Sequence, residues 1–493
     1  MKKVLFVILF GFCTHPFVSA QESGDSVLVF NLKQVIDLAR RQSPDVLYAR
    51  HSFRSSYWNY CYYKANYLPS LNFSSTPNFN RTISAITLPD GTAQYIQQNQ
   101  FQSNASLYIS QNIALTGGNL SIQTNLNRLD ELNNHYYSYK STPVNVTYQQ
   151  SLLGHNYLKW DKKIEPIKFE AAKKTYVEEL ELVAAKAVNR FFSLAMAQTN
   201  LEIAQTNYAN ADTLFVFAQG RYDIGTITEN DMLQLEINKL NEEGNRFSAE
   251  LALDESMESL RSFLGIKESL PIKVVADNDV PLESVQLGDA MQYALLNSPD
   301  ILNMQRQKLE SESNVANAKA STGLKADLYM QFGLAQTGAD LETAYRDPSN
   351  QQYVQVGISL PILDWGRGKG QVQMAKSRRD LVYAQTEQQQ NDFEMNIIKL
   401  VKQFNLQASR LNVAVKADYT AERRNEVARK LYLLGKSTIL DLNASITEKD
   451  VSKRNYMNTL ANYWALYYTL RSITLFDFEK EIPITEDYKL LIK

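Results

Sequence analysis

Cysteine, histidine and long apolar runs are all scarce in this chain, and each scarcity excludes a class of protein. The 493 residues hold two cysteines, Cys13 and Cys61. Cys13 lies within an expected export signal at residues 1–20: Lys2-Lys3 form a charged start, Val4 to Phe12 a short apolar core, and Val18-Ser19-Ala20 a small-residue cleavage site. Cleavage there leaves Cys61 alone, so no internal disulfide can form despite export. Phe12 is bulky where lipoprotein processing wants a small residue, which argues against a lipid anchor on Cys13. Of the four histidines, His15 is in the signal, and His51, His135 and His155 lack metal-ligand spacing, so no metal and no cofactor are expected. No stretch of about 18 uninterrupted apolar residues occurs, which excludes a membrane-spanning helix. A net charge of −2 argues against nucleic acid as a partner. Gly366-Arg367-Gly368-Lys369-Gly370 lacks the frame of a phosphate loop and reads as a strand-to-helix turn. With no nucleophile constellation either, the chain is not expected to be an enzyme. An exported chain of this kind is periplasmic, extracellular or an outer-membrane barrel.

What the chain does have is an internal copy of itself. Asn31-Leu32, Ala39 and Ser43-Pro44-Asp45 recur as Gln286-Leu287, Ala294 and Ser298-Pro299-Asp300, an offset of 255. Tyr222, Gly225, Thr228 and Asp231 recur as Tyr432, Gly435, Thr438 and Asp441, and Leu260-Arg261-Ser262 as Leu470-Arg471-Ser472, an offset of 210. The chain therefore divides into repeats at 21–285 and 286–493, and the first carries 45 extra residues, the difference between the offsets.

Each repeat reads helix, strands, long helix, turn, helix. Leu32 to Tyr67 is helical with a break near Pro44. Leu71 to Leu153 mixes Asn, Ser, Thr and Gln with apolar residues, as barrel strands do. Leu328, Met330, Phe332 and Leu334, and then Val354, Val356, Ile358 and Leu360, form a cleaner hairpin in the second repeat. The extra residues, near 105–150, have the length of one long hairpin and imply two added strands, either within the barrel or projecting from it. His155 to Arg221 and Gln371 to Tyr432 are long helices of about 65 residues, ~100 Å. Each equals two shorter helices stacked end to end, as the wall of a tube requires. In the first, Ala187, Leu194, Leu201, Tyr208, Phe215 and Tyr222 recur every seven residues with Ala197, Ala204, Ala211 and Ala218 behind them, a heptad seam. Asp418 and Asn425 interrupt the corresponding row in the second.

These features together resemble the TolC-like outer-membrane efflux proteins over nearly the whole mature chain. The carriers are the duplicated Ser-Pro-Asp helix start, Tyr67-Leu68-Pro69-Ser70-Leu71 entering a strand, Leu360-Pro361-Ile362-Leu363-Asp364-Trp365-Gly366, and the turns at Arg221–Thr226 and Leu431–Lys436. The resemblance implies an α+β membrane protein: a duplicated helix-strand-helix unit forming a trimeric outer-membrane β-barrel continued by a long periplasmic α-helical coiled-coil tunnel. Four to six strands cannot close a barrel alone, so oligomerisation follows from physics and the number three from the resemblance.

The resemblance also implies that the helix-turn-helix tips dock a periplasmic adaptor joined to an inner-membrane pump. Arg221, Tyr222, Gly225, Leu434, Gly435 and Lys436 are the candidate contacts. Acidic residues narrow the family's periplasmic entrance. Asp441 matches one such position, and Asp231 is its first-repeat counterpart with a capping role; a second family acid would fall on Ala444, where this chain departs. Trp365 and Trp160 are candidates for an interfacial girdle, and Tyr136, Tyr137 and Tyr139 for an outer rim. The expected function is passive export of small molecules through an outer-membrane exit duct. The alternatives are a protein-secretion duct of the same build and a periplasmic coiled-coil scaffold without a pore.

Overall fold

Four helices here begin where a serine or threonine hydroxyl accepts a free first-turn amide, at Ser43, Thr228, Ser298 and Thr438. The computed structural model describes residues 27–276, 280, 284–434 and 436–492; the export signal and Gly435 lie outside them. Along the chain come β1 (Leu28–Asn31), α1 (Leu32–Gln42), α2 (Pro44–Ala65), β2 (Ser70–Thr87), β3 (Ala93–Ile113), β4 (Gly118–Glu131), β5 (Tyr136–Ser151), α3 (Tyr157–Asp223) and α4 (Glu229–Leu264). The first repeat ends with β6 (Ile272–Val275), and the second follows with α5 (Leu287–Asn297), α6 (Pro299–Thr322), β7 (Lys325–Gly338), α7 (Leu341–Tyr345), β8 (Ser349–Ser359), α8 (Arg367–Leu433), α9 (Ile439–Thr474), β9 (Phe476–Asp477), β10 (Ile482–Pro483) and α10 (Tyr488–Ile492). Among the described residues no helix is long and apolar enough to cross a membrane.

The break expected at Pro44 is present, and its twin is at Pro299. The Ser43 hydroxyl accepts the Val46 N–H (3.3 Å), and the Ser298 hydroxyl accepts the Asp300 N–H (3.2 Å). Proline follows at the first helical position, where its missing N–H costs nothing. Each break ends one helix and caps the next.

The chain forms two compact units: residues 1–39 with 187–279, and 40–186 with 280–493; the division falls within α1 and α3. In the first unit, β1 pairs in parallel with β6, and the Val274 N–H donates to the Gln198 side chain (3.0 Å). Ala197, Ala204, Ala211 and Ala218 of α3 are all buried, as the heptad row requires. The large row ends in half-exposed rings that carry cations: Arg246 of α4 lies over Tyr208 (5.0 Å), and Lys239 lies over Phe215 (5.4 Å) while pairing with Asp212 (2.6 Å).

In the second unit, six antiparallel strands form one sheet in the order β2-β3-β4-β5-β7-β8. Both extra strands, β3 and β4, are paired on both sides. The interrupted heptad of α8 is explained by α9: Lys453 reaches Asp418 (3.5 Å), the Ser445 hydroxyl reaches Asn425 (3.3 Å), and Arg424 pairs with Glu448. Polar residues replace the apolar row because a polar helix face opposes them.

A buried ion cluster ties α2's neighbourhood to the chain's end. Glu181, almost fully buried on α3, accepts from Arg471 Nε of α9 (2.8 Å) and from Arg40. Arg471 also reaches Asp477 (2.7 Å), whose carboxylate accepts the Glu479 and Lys480 amides. Burial works against the charge on Asp477, yet Arg471 and those amides outweigh it and hold its carboxyl below the usual range. Replacing Arg471 with Leu leaves Glu181 with Arg40 alone and Asp477 with no cation, and is expected to cost about 3 kcal/mol, seen as a lowered midpoint of denaturant unfolding.

Glu178 stands in the opposite situation. Burial first, then the nearby Asp300 and Glu179, push its carboxyl up to about 7. The folded chain thus holds this proton more tightly than the unfolded chain, and stability contributed at the site falls as pH rises from the ordinary glutamate range through about 7. Glu178→Gln is expected to raise the unfolding midpoint at pH 8 and to leave it unchanged near pH 4, which thermal unfolding at the two pH values would read.

Candidate functional site

Two helical turns and one sheet carry the features that can do work. The turn between α3 and α4 closes by two bonds: Thr226 N–H to Arg221 C=O (2.8 Å) and Gly225 N–H to Tyr222 C=O (2.8 Å). This double closure needs a left-handed residue, and Gly225 supplies it with φ +73°. The next helix starts on a reciprocal cap. The Asp231 N–H donates to the Thr228 hydroxyl oxygen (3.2 Å), while the Thr228 N–H and O–H donate to the Asp231 carboxylate (3.2 and 2.7 Å).

The turn between α8 and α9 repeats this plan. Lys436 N–H donates to Leu431 C=O (2.9 Å), the counterpart of the Thr226–Arg221 bond. Thr438 and Asp441 exchange the same three bonds, at 3.3, 2.7 and 3.2 Å, and the Ser437 hydroxyl adds a fourth (3.3 Å). The threonine hydroxyls first, then the threonine amides, hold both carboxyls below the usual aspartate range. Both carboxylates are solvent-exposed and ionised at neutral pH.

Of the candidate contact residues, Arg221, Gly225 and Lys436 are exposed, Tyr222 is 39% exposed and Leu434 is 68% exposed. Gly435 lies outside the described residues. Sequence reasoning missed Ile224, which is 74% exposed. The 210-residue offset that relates the two turns places Ile224 on Leu434, and that signal was sufficient to find it. Leu440, just after the second turn, is likewise exposed. Each turn therefore presents an uncovered aliphatic side chain between a cationic residue and a capped carboxylate.

The sheet has two unlike faces. Leu71, Ile109, Ile122, Val146 and Phe332 form one lateral row across five strands. All but Val146 are 43–65% exposed. One residue along, Asn72, Tyr108, Gln123 and Asn145 form the matching row on the other face. There Asn125 donates to Asn104 (2.7 Å) and Ser74 shares a hydrogen bond with Ser106 (2.7 Å). An exposed apolar face backed by an amide and hydroxyl face is the pattern of a strand wall between lipid and water.

The aromatic candidates divide. Tyr137 and Tyr139 flank the guanidinium of Arg128 (5.5 and 5.6 Å) beside the β4–β5 turn, at the end of the sheet away from the strand-to-helix junctions. Trp365 is 90% exposed at the junction of β8 and α8. Trp160 stacks on His155 (6.5 Å) with Lys163 over its ring, a packing arrangement. Among the described residues no group of three or more His, Cys, Asp or Glu could hold a metal.

Comparison with known proteins agrees with this geometry. Residues 290–463 match the family of outer membrane efflux proteins. The cation efflux system protein CusC of Escherichia coli O157:H7 is 24% identical over 303 residues, covering 58% of this chain and 63% of CusC, so this chain spans under two thirds of that relative. The Campylobacter jejuni CmeC outer membrane channel superposes with a TM-score of 0.65 at 16% identity, covering 94% of this chain and 88% of CmeC. A membrane protein from Pseudomonas aeruginosa gives 0.65 at 13% identity, covering 91% of each chain.

The fold, strands and long helices in duplicate, is shared with solved structures of outer membrane channels. The resemblance to TolC-like outer-membrane efflux proteins holds, with residues 290–463 matching the outer membrane efflux protein family.

The caps at the turns can be tested directly. Thr228→Val and Thr438→Val each remove the acceptor for an otherwise free helix amide and are expected to cost about 1 kcal/mol locally. Hydrogen exchange should quicken in the first turns of α4 and α9 while the sheet stays protected.

Proposed function

We propose that the chain is the outer-membrane exit duct of a tripartite efflux system, passing small molecules passively from periplasm to exterior. The observation that carries this reading is the six-stranded sheet, whose apolar face is uncovered and whose outer strands β2 and β8 each have one unpaired edge among the described residues. Such a sheet is stable in lipid only when its edges are joined. Six strands are too few for a closed barrel of the usual minimum of about eight, so several copies share one wall. In the TolC-like family that number is three, and we adopt a homotrimer.

The helices support the same assembly. Leu233, Ile237, Leu240, Phe247 and Leu251 of α4 are all exposed. Their spacings are four, three, seven and four, a three-and-four seam with Gly244 in its one gap. A neighbouring copy is the natural occupant of that seam, and the packed helices then form the periplasmic part of the duct. Opening and closing is a rearrangement of these helices.

The tips are proposed to receive a periplasmic adaptor, through which an inner-membrane pump supplies the energy. Arg221, Tyr222, Gly225, Leu434, Gly435 and Lys436 are the contacts, to which Ile224 is added. Asp441 and Asp231 are placed at the periplasmic entrance. One acid per turn, with Ala444 where the family has another, makes a weaker ring of charge. Efflux of small molecules is favoured over protein secretion because the relative CusC is named for cation efflux.

Purified from outer membranes in detergent, the protein is expected to run as an oligomer and to conduct ions in planar bilayers. A stable, water-soluble monomer would overturn the reading. Ile224→Asp with Leu434→Asp is expected to abolish resistance to exported compounds while leaving barrel assembly and conductance intact. Full resistance in that variant would remove the tips from adaptor binding.

A further inference from the structure

The two strands that only the first repeat possesses have a role that the duplication exposes. The starts of β2 and β7 are 255 residues apart, and those of α3 and α8 are 210 apart, so β2 matches β7 and β5 matches β8. Neither β3 nor β4 has a counterpart. Yet neither is an appendage: β3 is hydrogen-bonded to β2 from Ala93 to Ser110 and to β4 from Gln100 to Ile113, and β4 pairs with β5 along its other edge.

We propose that this inserted pair is a widening element, which gives each copy six wall strands in place of four and thereby enlarges the outer mouth of the barrel. The inference rests on the channel reading above and assigns the insert its part in it.

Three features of the sheet carry it. First, the insert obeys the wall's two-faced pattern. Leu107 and Ile109 of β3, and Ile122 and Leu126 of β4, lie on the face shared by Phe73, Val146 and Phe332. A hairpin folded into the lumen or standing in water would have no reason to keep an apolar face in register with its neighbours. Second, an added pair preserves closure. Strands alternate in direction through the whole sheet, so β2 and β8 run oppositely. The β8 edge of one copy therefore meets the β2 edge of the next in antiparallel order, and a ring of copies closes head to tail. The occupant of each free edge is a second copy of this chain.

Third, the insert's inner face is uncharged. Alternate residues from Gln98 to Ser110 and from Asn119 to Asn127 are amides, hydroxyls or a tyrosine, and Glu131 at the far end is the only charge they lead to. Barrel diameter grows roughly linearly with strand number. Six strands instead of four therefore widen the mouth by about half, whatever the number of copies. A wide, hydrated mouth lined mainly by amides and hydroxyls, with Glu131 and Lys140 its nearby charges, sorts solutes little by size. It suits bulky polar cargo and leaves selection to the helical end.

The test compares the wild-type oligomer with a variant lacking residues 81–131, which joins Asn80 directly to the Leu132–His135 turn and keeps both faces in phase. In planar bilayers, neutral polyethylene glycols of graded size are added from the outer side, and their entry is read as reduced conductance. The largest polymer radius admitted is expected to fall by about a third in the variant. Equal cut-offs overturn the proposal. Electron cryomicroscopy of the wild-type oligomer gives a second readout that needs no variant: six wall strands per copy support the insert's role, and four per copy with β3 and β4 outside the wall refute it. A wild-type pore with four strands per copy sinks this inference alone, whereas a protein that forms no pore sinks the channel reading with it.

Discussion

The outer edges of β2 and β8, unpaired among the described residues, are the constraint from which the rest follows. Each edge carries a row of amides and carbonyls, and the sheet between them turns an apolar face outward. Water would satisfy the edges but not the face, and lipid would satisfy the face but not the edges. Joining edge to edge with further copies resolves both demands at once.

Much of this was legible in the sequence because the duplication supplies its own control. Every helix of the first repeat has a twin at an offset of 255 or 210: α1 with α5, α2 with α6, α3 with α8 and α4 with α9. Caps fixed the boundaries, since Ser43, Ser298, Thr228 and Thr438 all hold the amides that their positions suggest. The alanine row of α3 was legible because a small residue every seventh position has few uses other than close packing.

Other features could not be read in advance. Whether β3 and β4 join the sheet depends on long-range pairing, and both locations suit an alternating polar and apolar hairpin. The Glu181 cluster draws its members from positions 40, 181, 471 and 477, which no local pattern connects. The polar interruptions at Asp418 and Asn425 look like faults in a heptad until α9 supplies Lys453 and Ser445 opposite them. Ile224 has no chemistry of its own to mark it, and only its 210-residue match to Leu434 singles it out.

The reciprocal caps at the turns set how the tips respond to acid. Asp231 and Asp441 keep their negative charge mainly through hydrogen bonds donated by threonine, which do not titrate. Glu178, farther along α3, gives up its proton only near neutrality. Modest acidification therefore neutralises a glutamate in the helical wall and leaves the carboxylates of the turns ionised. Each turn thus keeps a constant negative charge over a pH range in which Glu178 changes its own.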